Sequence, residues 1–471
     1  MSDIGTETIA ALSTPPGAGG IAIIRLSGTA AHAIVKQIFS PWPADPDFFH
    51  LYLGYISAPQ SPQNLDQVLL TLMPAGRSYT GESMAEIHCH GGFYNSKKIL
   101  SLLFSLGAQA AAAGEFTKRA YLNGRLDLTQ AEAVVSLINA ESEAGLTAAT
   151  VQLAGGLADL VSKMLVQINQ VLAAIEVEID LLAEEGLNYQ HQELSVPLLQ
   201  LEDQCRNLLN SYKRGRIIRS GLKVVLVGRP NVGKSSLMNA LLAEDRALVS
   251  EISGTTRDVV SAELEIDGIK VELSDTAGLD ADLVPCTPQA ELEVLGRART
   301  ERWLEQAALI LLVFDQSRKL TDFECELYQK ISAKPHLILL NKQDKPAAFT
   351  ESDLRSRLAY TGPVLGCVGA EGNIKIDGVV AGITDFIKSQ TIGDSVTAVV
   401  ISQQRHFDLL SVVAAGLSRS LKLLESGAPP LDMLAEELQQ IRFSLLEITG
   451  AEARDVEGLL DIVFSQFCVG K

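Results

Sequence analysis

The run KVVLVG passes directly into GRPNVGKSS and then into LMNALLA. A β-branched apolar strand, a loop closed by Gly-Lys-Ser and a helix-forming exit admit few folds, because each part is needed for the next to work. Gly228 to Ser236 then reads as a G-x-x-x-x-G-K-S loop. Backbone amides along Asn231, Val232, Gly233 and Ser236 cradle phosphates, Lys234 reaches the β and γ oxygens, and the Ser235 hydroxyl takes Mg²⁺. The following sequence supplies the rest of such a domain. AELEIDGIKVELSD reads as two alternating strands about an Asp267-Gly268 turn, and ALILLVFD and HLILLNK as further buried strands. Strands alternating with helices predict a doubly wound sheet.

Two further motifs select the nucleotide. DTAG (Asp275, Thr276, Ala277, Gly278) ends a strand, offering a carboxylate for the Mg²⁺ shell and a glycine amide for the γ-phosphate. In NKQD, Asp344 can accept two hydrogen bonds from a guanine edge while Asn341 and Lys342 brace the site. Hydrogen bonds to a charged acceptor are worth about 1.5–3 kcal/mol each, enough to reject adenine, so the expected ligand is GTP. CVGAEG near the last strand has Gly369-Ala370 where guanine loops usually show Ser-Ala. Leu279 stands where Ras-like enzymes place a water-orienting glutamine, so that task falls to other groups. GTTRD would bring Thr256 to Mg²⁺; Arg257 is either a finger or a switch-loop ion pair, and the Asn231 side-chain oxygen could hold a monovalent cation.

The 471 residues, 47% of them apolar, suffice for about three domains. Residues 1 to about 120 mix short β-type runs with Gly and Pro, the texture of a compact α/β domain. From Leu126 the texture turns helical, with Leu165, Ile168, Leu172, Ile175, Ile179 and Leu182 on one face, and after residue 388 it does so again, with Leu434, Leu438, Ile441, Leu445 and Ile448. The economical arrangement inserts the sheet domain into one helical domain; two separate helical domains are the alternative. A formal charge of -18 argues against a general polyanion binder, so any RNA contact must be local or shared with a partner. The first thirty residues lack a basic leader and no apolar run approaches about 20 residues, so the expectation is a soluble, cytoplasmic protein with no membrane contact.

Taken together, these motifs closely resemble the tRNA modification GTPase MnmE (TrmE) family. The likeness spans nearly the whole chain: TIAALSTPPGAGGIAIIRLSG, SYTGESMAEIHCHGG, GEFTKRAYLNGRLDLTQAEA, the GTPase set with GTTRD, and the terminal LLDIVFSQFCVGK. It implies a multidomain α/β + all-α chain, with an N-terminal α/β folate-binding and dimerisation domain at 1–122. A helical bundle domain follows at 123–219 and 387–471, with an inserted Ras-like P-loop GTPase domain at 220–386. By this resemblance the chain is a K⁺-dependent GTPase. As a homodimer it joins an MnmG-type FAD protein in a heterotetramer and adds an aminomethyl-type group at C5 of the wobble uridine of certain tRNAs. The carbon comes from a 5-formyl- or methylene-tetrahydrofolate.

Carried over by position, the resemblance puts GTP on Ser250, Glu251, Ile252, Ser253, Gly254, Thr255 and Thr256 as well as on the motifs above. K⁺ falls on Asn231, Ser250, Ile252 and Thr255, and Mg²⁺ on Ser235 and Thr256. The water-steering glutamate aligns with Glu293, with Glu291 as the fallback beside the extra residues of ADLVPCTPQAE. Folate falls on Arg25, Glu86, Arg125 and Lys471, types that suit a pterin edge and glutamyl carboxylates. Arg125 replaces the family's usual lysine, Ala18 its usual arginine, and AAAAGEF lacks the arginine and proline expected before GEF.

Six cysteines are scattered without a C-x-x-C pair, which favours reduced thiols. His88, Cys89 and His90 alternate, and three ligands on a period-2 strand would not share one face, so a core or ligand-lining role is favoured over a metal site. FCVGK resembles a C-a-a-X box, yet DIVFSQF before it is apolar with no polybasic stretch. Cys468 is then a buried inert thiol or, by the resemblance, a catalytic group beside the folate. Other classes are a ribosome-assembly GTPase switch, disfavoured by the acidic charge, and a one-carbon transferase with a vestigial G domain, disfavoured by intact Lys234, Ser235, Thr256, Asp275 and Asp344.

Overall fold

The structure is a computed structural model that describes residues 7–59, 63–185, 192–243, 261–275, 303–370, 373–391, 399–425, 430–451, 460, 463–465 and 467–470. It divides into two compact units, one formed by Met1–Asn139, Ala149–Arg206 and Asp408–Lys471, the other by Ala140–Ala148 and Asn207–Phe407.

The first unit opens with a seven-stranded sheet. Its strands are β1 (Ile9–Leu12), β2 (Ile21–Ser27), β3 (Phe39–Ser40), β4 (Tyr52–Ser57), β5 (Asn64–Met73), β6 (Met84–His90) and β7 (Gln109–Ala110). They are ordered β3-β4-β5-β6-β2-β1-β7, all neighbours antiparallel except β1 and β7. Alternation in IAIIRLS sends Ile24 and Leu26 to one face, where they join Leu70, Ile87 and Cys89 beneath Ile34, Val35, Ile99 and Leu103 of the Ala31–Lys36 and Phe93–Ser105 helices. The other face carries the registered rows Thr71–Glu86–Arg25 and Leu53–Leu69–His88–Ile23.

The helical part of this unit packs the Gly156–Glu185 helix against Leu431–Thr449. The later helix buries Leu434, Leu438, Ile441, Leu445 and Ile448, the face its periodicity predicts. On the earlier helix the buried stripe is Leu157, Val161, Met164, Ile168, Val171, Leu172 and Ile175, so Met164 takes the place expected of Leu165. Ile179 is half-buried, and the Leu182 side chain lies outside the described residues. Gly156–Ile179 is long and apolar enough to cross a membrane by length and composition, which corrects the expectation that no run approaches that length. Its buried positions recur every three or four residues, while Lys163, Asn169, Gln170 and Glu176 are exposed, the pattern of a helix with one packed face.

The second unit is built on a six-stranded sheet: β8 (Leu222–Val227), β9 (Ser261–Ile266), β10 (Ile269–Asp275), β11 (Leu309–Asp315), β12 (His336–Asn341) and β13 (Val364–Gly366). The order is β13-β12-β11-β8-β10-β9, parallel except for β9, which turns back on β10 at Asp267-Gly268, both with positive φ. Leu309 to Asp315 are all buried, as a strand covered on both faces requires. The 140–148 segment is tied to the β9–β10 hairpin by Ala144 N–H on Gly268 O at 3.1 Å, and by Lys270, which donates to both Glu141 and Glu263.

Candidate functional site

Parallel strands present their carboxyl ends on one edge, and a chain that reverses strand order there leaves a crevice for a ligand. In the second unit β8 lies between β11 and β10, so the ends of β8, β10, β11 and β12 meet as Gly228, Asp275, Asp315 and Asn341. The phosphate loop leaves β8 and enters the Lys234–Ala243 helix. Its glycines are required by close approach: a Cβ on Gly228 would lie 2.5 Å from Val313 O, and one on Gly233, at φ +102°, would overlap the Asn341 amide nitrogen.

Lys234 is 2% exposed and donates to Gly228 O at 2.7 Å and Arg229 O at 3.1 Å, folding back over the loop it serves. Ser235 Oγ donates to Asp275 Oδ2 at 2.7 Å. That pairing puts two hard oxygens together, the donor chemistry that suits Mg²⁺. Asn231 takes the left-handed conformation, φ 65°, which Asn tolerates better than most side chains, and its carbonyl accepts from Lys342 Nζ at 2.7 Å. Val232 is buried and its carbonyl accepts from Asn341 Nδ2 at 2.8 Å, while Ser236 faces solvent.

Asn341 and Lys342 thus brace the phosphate loop itself. Lys342 holds φ 61°, an uncommon conformation for lysine, fixed by its N–H on Asn341 Oδ1 at 2.9 Å and its ammonium on Asp315 Oδ2 at 2.8 Å. Asp344 is exposed in the turn that follows. Asp315, the last residue of β11, belongs to none of the sequence motifs. It is 3% exposed; burial raises its carboxyl, but the Lys342 ammonium and the Ser317 hydroxyl and amide outweigh this and hold it below the usual carboxylate value. The available signal was its place: ALILLVFD ends where HLILLN ends, and Asp315 is registered with Asn341. Gly369-Ala370 lie in a short strand, Val368–Ala370, paired with Asn373–Lys375.

Ser250, Glu251, Ile252, Ser253, Gly254, Thr255, Thr256, Thr276, Ala277, Gly278, Glu293 and Lys471 lie outside the described residues, as do Arg257, Leu279 and Glu291.

A second constellation sits on the sheet of the first unit. Arg25 and Glu86 are registered partners on β2 and β6 and form an ion pair at 2.8 Å, with Arg25 also over the Tyr79 and Phe116 rings. His88 Nε2 lies 3.5 Å from Glu86 Oε2, buried and without a hydrogen-bond partner. An orphaned ring nitrogen beside a carboxylate suits a polar heterocycle, and in that respect the residues fit a pterin. Arg125 is exposed and reaches Gly76 O at 3.4 Å. Cys89 points the other way, its thiol pushed up to about 11 by burial, so the His-Cys-His run is split between faces.

The terminal segment meets the 113–114 segment and the end of β1. Val469 bridges Ala113, Gly114 N–H reaches Cys468 O at 3.4 Å, and Ser13 Oγ donates to Gly470 O at 3.0 Å. Phe464 and Phe467 are buried with Tyr121 and Leu128 and anchor the approach. Cys468 itself is exposed, which overturns the reading of a buried inert thiol.

The strand–loop–helix unit and its bracing residues define a P-loop nucleotide-binding domain within a longer chain. Residues 8–125 match the family described as GTP-binding protein TrmE N-terminus, and residues 128–468 match the MnmE helical domain. The protein named tRNA modification GTPase MnmE from Natranaerobius thermophilus is 38% identical over 471 residues, 99% of each chain. Its namesake from Moorella thermoacetica is 39% identical over 474 residues, again 99% of each. The chain belongs to the MnmE family.

Replacing Asp315 with Asn should cost about 1.5–3 kcal/mol at neutral pH, the worth of hydrogen bonds to a charged partner. Because the folded carboxyl titrates below 3.8, its contribution is complete above that value and fades as pH falls through the lowered one. Urea unfolding of both forms should show a gap at neutral pH that narrows on acidification; a gap independent of pH would contradict the ion-pair account.

Proposed function

We propose that this chain is a GTP hydrolase acting in tRNA modification. The observation that carries the GTPase reading is the meeting of the phosphate loop, the Ser235–Asp275 pair and the Asn341–Lys342–Asp344 turn at the strand ends of one sheet, while membership of the MnmE family supports the tRNA part. Lys234 neutralises the phosphates as charge moves onto the leaving oxygens, and Asp344 accepts from the guanine edge. When bound, Mg²⁺ on Ser235 and Thr256 and K⁺ on Asn231, Ser250, Ile252 and Thr255 supply positive charge to the developing transition state. Glu293 orients the attacking water.

The finer reading is cytoplasmic addition of an aminomethyl-type group at C5 of the wobble uridine, with an MnmG-type FAD protein as partner. A tetrahydrofolate bound by Arg25, Glu86, Arg125 and Lys471 supplies the carbon. Exposed Cys468, whose carbonyl accepts from Gly114 N–H, is available to take part. The domain division at residues 122, 219 and 386 belongs to the same proposal. A homodimer through the sheet of the first unit is supported by its open face, where Ile21, Leu53 and Tyr55 are 69%, 63% and 41% exposed.

GTP turnover should be several times faster in K⁺ than in Na⁺ at equal ionic strength, and equal rates would sink the cation assignment. Cells lacking the protein should lose C5-modified wobble uridine by nucleoside mass analysis, and Cys468→Ser should fail to restore it if the thiol reacts. An unchanged nucleoside profile in the null cells would contradict the function.

A further inference from the structure

The Phe93–Ser105 helix, FYNSKKILSLLFS, is the layer that covers the inner face of the first unit's sheet, with Ile99 and Leu103 fully buried. Its solvent face is unusual for a chain of formal charge -18, because the helix contains two lysines and no acidic residue. Large aromatic rings stand at its exposed start: Phe93 is 66% and Tyr94 71% exposed. Each ring has an ammonium beside it, Lys97 Nζ 5.7 Å from the Phe93 centroid and Lys98 Nζ 5.3 Å from the Tyr94 centroid. The turn is firmly placed. Asn95 Nδ2 donates to Asp66 Oδ2 at 2.7 Å and to His90 O at 3.0 Å, and Asp66 also accepts from the His90 backbone and ring.

Exposed rings flanked by cations are poorly suited to an apolar protein groove, since docking there would desolvate both lysines. They suit unpaired nucleotides, whose bases stack on aromatic faces while their phosphates are neutralised by lysine. In a chain of this charge a polyanion can be held only at local basic patches, and this turn is one of them. We propose that the Phe93–Lys98 turn is an RNA-binding surface that takes unpaired bases and adjoining phosphates of a tRNA loop. This rests on the reading of tRNA as the macromolecular substrate, and adds to it where on the chain the RNA is held. The rings give base-tolerant stacking, so the surface grips a loop without choosing its sequence.

The test uses the full chain, unfractionated tRNA and a salt series. Wild-type protein should bind tRNA; Phe93→Ala with Tyr94→Ala should weaken binding about tenfold or more. Lys97→Ala with Lys98→Ala should flatten the dependence of log K on log salt by about 0.7 for each lysine. GTP turnover without tRNA should be unchanged in both variants. As a readout independent of variants, ultraviolet crosslinking of wild type should attach nucleotides to the peptide holding Phe93 and Tyr94. Unaltered affinity and slope in both variants, or crosslinks confined to other peptides, would overturn the surface while leaving the substrate intact. A loss of chain self-association in place of tRNA binding would mean that a second copy covers this turn, and would also overturn it. Failure of the wild type to bind any tRNA would also overturn the surface, whereas the underlying reading falls only with an unchanged nucleoside profile in cells lacking the protein.

Discussion

The nucleotide-binding half of the molecule depends on one contact: Asn341, at the end of β12, donates to the carbonyl of Val232 in the phosphate loop at 2.8 Å. Only a residue without Cβ at Gly233 lets the amide approach that closely. Lys342 repeats the device one residue on, donating to the Asn231 carbonyl and to Asp315, and accepts a positive φ to do so. Together they tie the loop that faces phosphate to the turn that carries Asp344. On the proposed reading, base and phosphate recognition share one frame, and misplacing either strand end would disturb both.

The same frame explains what could be read from the sequence. Loop, DTAG and NKQD have fixed spacing because a parallel sheet delivers them to one edge, and spacing survives without coordinates. Asp315 does not show in that way. Its importance comes from register with Asn341, a relation between strands that are distant along the chain. Helix faces were legible to within one position: the stripe of Leu431–Thr449 is the expected one, whereas Met164 displaces Leu165 because helix–helix packing selects the face. Looking only for uninterrupted apolar runs understated the Gly156–Ile179 stretch, whose polar residues are interspersed.

The N-terminal sheet shows a complementary limit. Alternation correctly separates the face of Ile24 and Leu26 from that of Arg25, but it cannot say that Arg25 pairs with Glu86, since this follows from β2 and β6 being neighbours. Nor does composition reveal that Cys468 is exposed. Free cysteine is usually buried, and here the burial is provided instead by Phe464 and Phe467 just before it, while Gly470 makes the close approach to β1.

The central claim is that one sheet edge reads guanine through Asp344 while holding phosphates through Gly228 to Ser235. An aspartate accepts from the two N–H groups of guanine; an asparagine can donate to the extra carbonyl of xanthine instead. The direct measurement is the affinity of the full chain and its Asp344→Asn form for GTP and XTP. The account requires wild type to prefer GTP and the variant to reverse that preference by tenfold or more, on the order of 1.4 kcal/mol for each factor of ten. Unchanged preference in the variant would contradict it.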